Sequence, residues 1–274
     1  MTARPIFIVS SGRSGTAMLH KALSAKPDVA MHHEYAVAIT QPLAVRRYLD
    51  LIDGAGCARV IAETFGAAIT HSTASVWGDS SNKLSWLIPD LAAQFPDARF
   101  VHLVRDGRKV AGSYFHKLGD ENYTDRATAI LQAHYDGKGA PPPPEKPYWW
   151  PLPRRGDAFA TAFRDFDQFQ RICWHWAEIN RVILDSLAAL PQERTLFTRL
   201  EDLVQAPERV EELMDFLGLD HTPADFAAFQ RPHNVNRPRD QLLTAPQRSQ
   251  FEAIAAPMMT RLGYGGRAEY VVNY

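Results

Sequence analysis

The sequence predicts an α/β fold, a three-layer α/β/α sandwich built on a central, mainly parallel sheet, and three observations lead to it. Strand-length apolar runs alternate with segments of helical periodicity at the spacing that βαβ units need. Glycines break the chain where a strand hands over to a helix, at Gly12 and Gly15 and again at Gly107. The composition is that of an ordinary globular protein, with 46% hydrophobic and 22% charged residues in a chain of 274. That length suffices for one large α/β domain, and residues 1–274 read as a single unit without repeats or a linker.

Residues 5–10 form the first strand, carrying Ile6, Phe7, Ile8 and Val9, and the helix after Gly15 sets Leu19, Ala22 and Leu23 on one face. Lys26, Pro27 and Asp28 close that helix, residues 29–34 make a second, weaker strand, and a helix is expected over 42–52. Residues 84–94 read as helical, Pro96 and Asp97 turn the chain, and 99–104 (RFVHLV) make a strong strand. Asp106 and Gly107 end it before a helix over 108–118. Between 119 and 157 the periodicity lapses. Gly137, Gly139, the proline run 141–144, Pro147, Trp149, Trp150, Pro151 and Pro153 predict an irregular, Pro-rich surface excursion at about 123–157. A long helix over 166–190 follows, with Phe169, Trp174 and Trp176 expected in the core. Then come a strand near 195–198, a helix over 207–217 stopped by Gly218, and a last helix over 246–262 stopped by Gly263.

Composition excludes several functions. Thirty Lys and Arg almost cancel 31 Asp and Glu, so no global field draws the chain to nucleic acid or to an anionic membrane. There is no unbroken apolar stretch of ~18 residues, which excludes a membrane-spanning helix. The apolar run near the N-terminus meets Ser-Ser-Gly-Arg too early for a secretory leader. Cys57 and Cys173 are too few for a disulfide scaffold or a zinc cluster, and the ten histidines show no metal-ligand spacing. The expectation is a metal-free protein of the cytoplasm.

Chemistry concentrates at two strand ends. Ser10-Ser11-Gly12-Arg13-Ser14-Gly15-Thr16 lies where the first strand passes into a helix. A helix N-terminus points unpaired N–H groups outward, glycines let the backbone approach an anion, and Arg13, Ser14 and Thr16 add donors. The alternative for this loop is a tight turn with a helix cap. An NTPase loop needs four residues between its glycines and a following Lys, whereas two separate Gly12 from Gly15 and no Lys follows. The second site, Arg105 to Ser113, starts at the carboxyl end of a strand, where open α/β sheets bind ligands. Arg105 could equally pair with a carboxylate, and Ser113 could be an ordinary helix residue.

Together the two loops resemble the PAPS-dependent sulfotransferases of the bacterial, P-loop-like type; PAPS is 3′-phosphoadenosine 5′-phosphosulfate. Arg105 and Ser113 have that family's eight-residue separation, and Leu200-Glu201-Asp202-Leu203, Phe216-Leu217-Gly218-Leu219 and Arg261-Leu262-Gly263-Tyr264 extend the likeness along the chain. The resemblance implies sulfuryl transfer from PAPS to a hydroxyl or amine with release of PAP. It places Gly12, Arg13, Ser14, Gly15, Thr16 and Ala17 on the 5′-phosphosulfate and Arg105 and Ser113 on the 3′-phosphate. It also makes Arg237, with Arg239, the basic loop over that phosphate. Arg13, where many relatives carry Lys, would stabilise charge on the leaving oxygen. The acceptor must lose a proton, and of the residues ending the second strand Glu34 is the first candidate for the base and His33 the second. Alternation along a strand turns these two to opposite faces. Two departures stand out: Gly107 replaces the family's usual proline, and Leu200 its aromatic neighbour of the nucleotide. The acceptor is an unidentified small molecule, lipid, glycan or peptide. The rival readings are a nucleotide kinase-like phosphotransferase and a nucleotide-binding protein without acceptor chemistry.

Overall fold

The computed structural model describes residues 2–230 and 242–269. In chain order it comprises β1 (Arg4–Ser10), α1 (Thr16–Ser24), β2 (Val29–His33), α2 (Val37–Tyr48), α3 (Gly54–Ile61), α4 (Ala67–Thr70), β3 (Val76–Ser80), α5 (Ile88–Gln94), β4 (Arg99–Val104), α6 (Gly107–Lys117) and α7 (Asp125–Tyr135). It continues with α8 (Gln168–Leu187), β5 (Thr195–Arg199), α9 (Leu200–Gln205), α10 (Pro207–Leu217), α11 (Pro223–Phe229) and α12 (Ala245–Arg261). The five strands form one all-parallel sheet in the order β2-β3-β1-β4-β5.

Strand alternation explains the layers. In β1, Phe7 and Val9 face one core with Trp77, Phe100 and the buried side of α8, while Ile6 and Ile8 face another with Leu19, Leu23, Val101 and Leu103. Helices α2, α3, α5, α6, α8 and α12 cover the first face, and α1, α10 and α11 the second. In α8, Phe169, Ile172, Cys173, Trp176, Ile179 and Ile183 recur at helical spacing and are buried, each large side chain removed from water contributing roughly 1.5–3 kcal/mol. A capping box between Asp167 and Gln170 starts that helix two residues later than its apolar pattern suggests. Among the described residues no helix is long and apolar enough to cross a membrane.

Several expectations need correction. Strand β3 sits between β2 and β1 and was not predicted: in Val76-Trp77-Gly78-Asp79-Ser80 polar residues are buried beside apolar ones, so there is no apolar run to read. Helices α3 and α4, joined by a π-helical stretch over Ala62–Gly66, were missed as well. Helix α2 begins five residues before Pro42, because a left-handed Ala36 turns the chain and its carbonyl accepts the N–H groups of Ile39 and Thr40. Pro42 is therefore inside the helix and removes one ladder bond.

The Pro-rich excursion is neither wholly irregular nor wholly superficial. It contains α7, capped by Thr124, and it buries Trp149, Trp150 and Leu152 in the larger core. Their polar atoms are satisfied: Trp149 Nε1 donates to Pro143 O at 2.7 Å, Trp150 Nε1 to Glu121 O at 2.8 Å, and Tyr123 OH to Pro151 O at 2.9 Å. Gln41 of α2 donates to the carbonyls of Lys146 and Trp149, which clamps the segment to the helix behind Glu34.

Candidate active site

The loop between β1 and α1 is folded upon itself. Gly12, Arg13 and Gly15 all have left-handed backbones, with φ of 78°, 55° and 97°. A Cβ on Gly15 would lie 2.7 Å from Leu200 Cδ1, so Leu200 packs directly on the loop. Gly12 N donates to Ser10 Oγ, Ser14 Oγ donates to Gly12 O, and Tyr114 OH donates to Ser11 O. Ser14 is thus fully buried with its hydroxyl spent inside the loop, which leaves its amide for an outside partner. No side chain caps α1, so the amides around Thr16 and Ala17 open its N-terminus.

The second loop meets the first. Arg13 Nε donates to Ser113 Oγ at 3.0 Å, and Arg105 Nη1 donates to Arg13 O at 3.1 Å, which brings residues of the two sequence motifs together. Lys117 lies one turn beyond Ser113 on α6. Its ammonium is pushed down by burial and then by the neighbouring Arg13 and Arg105, the mark of several cations gathered in one place. Lys117 was not anticipated, although its i,i+4 spacing from Ser113 could have signalled it.

Asp106 and Arg108 have structural work. Asp106 caps α6 through Arg108 N and is clasped by the Arg108 guanidinium, Nη2 to Oδ2 at 2.6 Å. Asp106 N donates to Glu201 Oε1, and Tyr264 OH donates to Glu201 Oε2 at 2.7 Å. The distant Leu200–Leu203 and Arg261–Tyr264 motifs therefore converge on the turn that presents Arg105. Gly107 is required there: a Cβ would fall 2.7 Å from both Trp176 and Phe251, so the residue permits close packing of α8 and α12.

Glu34 stands one residue past β2 in a left-handed conformation, φ 55°, which costs roughly 1–2 kcal/mol for a residue with a Cβ. Its Oε1 accepts from Lys83 Nζ at 2.6 Å, and the buried Lys83 also donates to Asn82 Oδ1 at 2.8 Å. Burial pushes the Glu34 carboxyl up, but the Lys83 ammonium outweighs it and holds the group below the ordinary carboxylate range, ionised at neutral pH. Asn82 Nδ2 in turn donates to Tyr114 OH, which bonds Ser11 O. A continuous hydrogen-bonded path thus joins Glu34 to the glycine loop. His33 points elsewhere, its Nδ1 held by Ser80 O at 2.8 Å and Ser80 Oγ at 2.9 Å, and its ring lies beside His20. Asn82, Lys83 and Asp79 were missed because β3 was missed: as a polar cluster at the carboxyl end of a parallel strand, Asp79-Ser80-Ser81-Asn82-Lys83 would have drawn notice.

Arg237 and Arg239 lie outside the described residues. Among those described, no group of three or more His, Cys, Asp or Glu side chains is arranged to hold a metal ion.

A glycine loop beneath gathered cations, connected to an ionised carboxylate, is the layout of an enzyme that transfers a group from an anionic donor. The chain matches, over residues 5–138, the profile of the family described as "Sulfotransferase family". Its fold resembles that of a sulfotransferase from Alicyclobacillus acidocaldarius, with 18% identity, TM-score 0.54 and coverage of 95% of this chain and 94% of that one. It is also similar to the sulfotransferase domain from the curacin biosynthetic pathway, at 16% identity, TM-score 0.52 and coverage of 93% and 97%. At these identities the likeness is one of fold. No curated protein is similar in sequence.

Proposed function

We propose that the protein transfers the sulfuryl group of PAPS to the hydroxyl or amine of an acceptor and releases PAP. The observation that carries this reading is the hydrogen-bonded path from Glu34 through Lys83, Asn82 and Tyr114 to the glycine loop, which sets a proton acceptor beside an anion cradle. The residues present fit the nucleotide: the uncapped start of α1 with Arg13 suits a 5′-phosphosulfate, and Arg105 and Lys117 with Ser113 suit a 3′-phosphate.

PAPS supplies an activated sulfuryl group whose bond to the phosphate oxygen breaks as the bond to the acceptor oxygen or nitrogen forms. Arg13 and the amides of Ser14 to Ala17, together with Gly12, Gly15 and the Thr16 hydroxyl, stabilise the charge that grows on the leaving oxygen. Arg13 stays protonated and acts through its field and not as an acid. Glu34, already ionised, takes the acceptor proton, and Lys83 holds its carboxylate in place. His33, with Nδ1 occupied by Ser80, is the weaker choice. No metal takes part. Lys146 reaches the Glu34–Lys83 pair electrostatically from the clamped segment after α7, which makes that segment one wall of the acceptor site. The acceptor is a small molecule, lipid, glycan or peptide. Two buried, free thiols suit a reducing compartment, and we place the enzyme in the cytoplasm. A screen of hydroxyl and amine acceptors with labelled PAPS tests the reading: transfer of label to any acceptor, or slow release of PAP into water, supports it, and failure to bind PAP in calorimetry overturns it.

A further inference from the structure

Asp79 is the last residue but one of β3, is fully buried, and belongs to neither the glycine loop nor the Glu34–Lys83 pair. Its Oδ1 accepts the Tyr35 N–H at 3.1 Å, and its Oδ2 has no hydrogen-bonding partner. Tyr35 is the middle residue of an unusual turn, flanked by Glu34 at φ 55° and Ala36 at φ 49°. Two adjoining bonds complete the anchorage: Glu34 N donates to Ser80 O and Val37 N to Glu34 O. The end of β3 thus grips both backbone amides that decide where Glu34 stands. A buried carboxylate beside a second carboxylate is an expensive way to hold one amide, so a neutral side chain would serve if geometry were its whole task.

We propose that Asp79 is a positioning residue for Glu34, fixing the strained turn through the Tyr35 amide and, by its negative charge, keeping Glu34 basic enough to take a proton beside Lys83. This rests on the reading of Glu34 as the base. The charged and titratable groups facing Asp79 are Glu34 from the turn, Lys83 from the exit of its own strand, with Lys146 reaching that same pair from the segment after α7, and His32, its register partner on β2, whose ring packs on Tyr35 and Trp77 and is held toward the neutral form by burial and by His20. His33 is held by Ser80. Burial first, and then the charge of Glu34, raise the Asp79 carboxyl to about 6 against the pull of the Tyr35 amide and Lys83. Above that pH Asp79 is charged and repels charge on Glu34, raising its basicity, whereas below it Asp79 is neutral, Lys83 acts on Glu34 unopposed and the base weakens.

The test uses the release of PAP from PAPS in water, with water standing as the acceptor, measured between pH 5 and pH 8 for the wild type, Asp79→Asn, Asp79→Ala and Glu34→Gln. The wild-type rate is expected to fall on the acid side with a midpoint near the value of the Asp79 carboxyl, about 6. Asp79→Asn, which keeps an oxygen for the Tyr35 amide, should run at the lower rate throughout and lose that inflection. Asp79→Ala, which releases the turn, should lose about 10²-fold, as misplacement of a reacting group does. PAP affinity should be unchanged in all three variants. A wild-type profile flat across this range, or an Asp79→Asn variant with the wild-type rate and inflection, overturns the proposal and leaves the base intact. If Glu34→Gln keeps the wild-type rate, the base assignment falls and the proposal with it.

Discussion

The two ends of the site are built differently. At the glycine loop, residues 10–17 and 105–117, the working groups are backbone amides and cations fixed by local conformation: three left-handed residues, an uncapped helix and one serine in reach of Arg13. At the carboxylate end, a single Glu is held by a buried lysine that follows β3, and the amide after it by an aspartate within β3. The first arrangement tolerates loss of one member, since several donors share the charge. The second has no spare part, so kinetic effects should be larger at Glu34 and binding effects larger at Arg105.

Glu34→Gln is expected to lower kcat by a factor of roughly 10²–10⁴ with PAP affinity nearly unchanged, the loss typical of a missing general base. An equal loss from His33→Ala, with Glu34→Gln active, would invert the roles and break the contrast. Next in size, Trp149→Ala or Trp150→Ala should destabilise the fold by about 3–5 kcal/mol, because each buries a large ring with a satisfied indole N–H. Acceptor kinetics per folded molecule should be unaltered; a shifted acceptor preference at constant Tm would instead make these rings part of the acceptor pocket. Arg105→Ala should weaken PAP by about 1.5–3 kcal/mol in calorimetry and affect adenosine 5′-phosphosulfate, which lacks the 3′-phosphate, far less. Equal losses would move Arg105 away from that phosphate. The smallest effect is expected from EDTA, which should leave turnover unchanged; activity restored only by Mg²⁺ would favour a phosphotransferase.

The same contrast governs what the sequence made legible. Loop residues are written into a short contiguous motif because backbone conformation demands glycine there and a helix must start just beyond. β1, β4, α6 and α10 could be read for the same reason, each having a strong apolar run or an end fixed by Gly or Asp. The carboxylate end depends on β3, five buried residues of which Gly78, Asp79 and Ser80 carry no apolar signal. Without that strand Lys83, three residues past its end, could not be placed beside β2, and the partner of Glu34 stayed hidden. Trp149 and Trp150 were misjudged for a complementary reason: proline-rich composition argues for an exposed chain, but it says nothing of the rings and amide acceptors that bury it. Leu203 and Tyr264 stood in motifs whose shared target, the Asp106 turn, is a tertiary fact.

Glu201 links that turn to Tyr264 through its two carboxylate oxygens. Linkage is reciprocal: whatever free energy a bound nucleotide spends on steadying Arg105 and its neighbouring amide is returned to the far end of the clasp. Occupancy of the nucleotide site should therefore be readable at residues 261–264 as slower proteolysis and slower amide exchange in the presence of PAP. Tyr264→Phe should uncouple the two readings, leaving PAP bound while the tail exchanges as it does in the free protein.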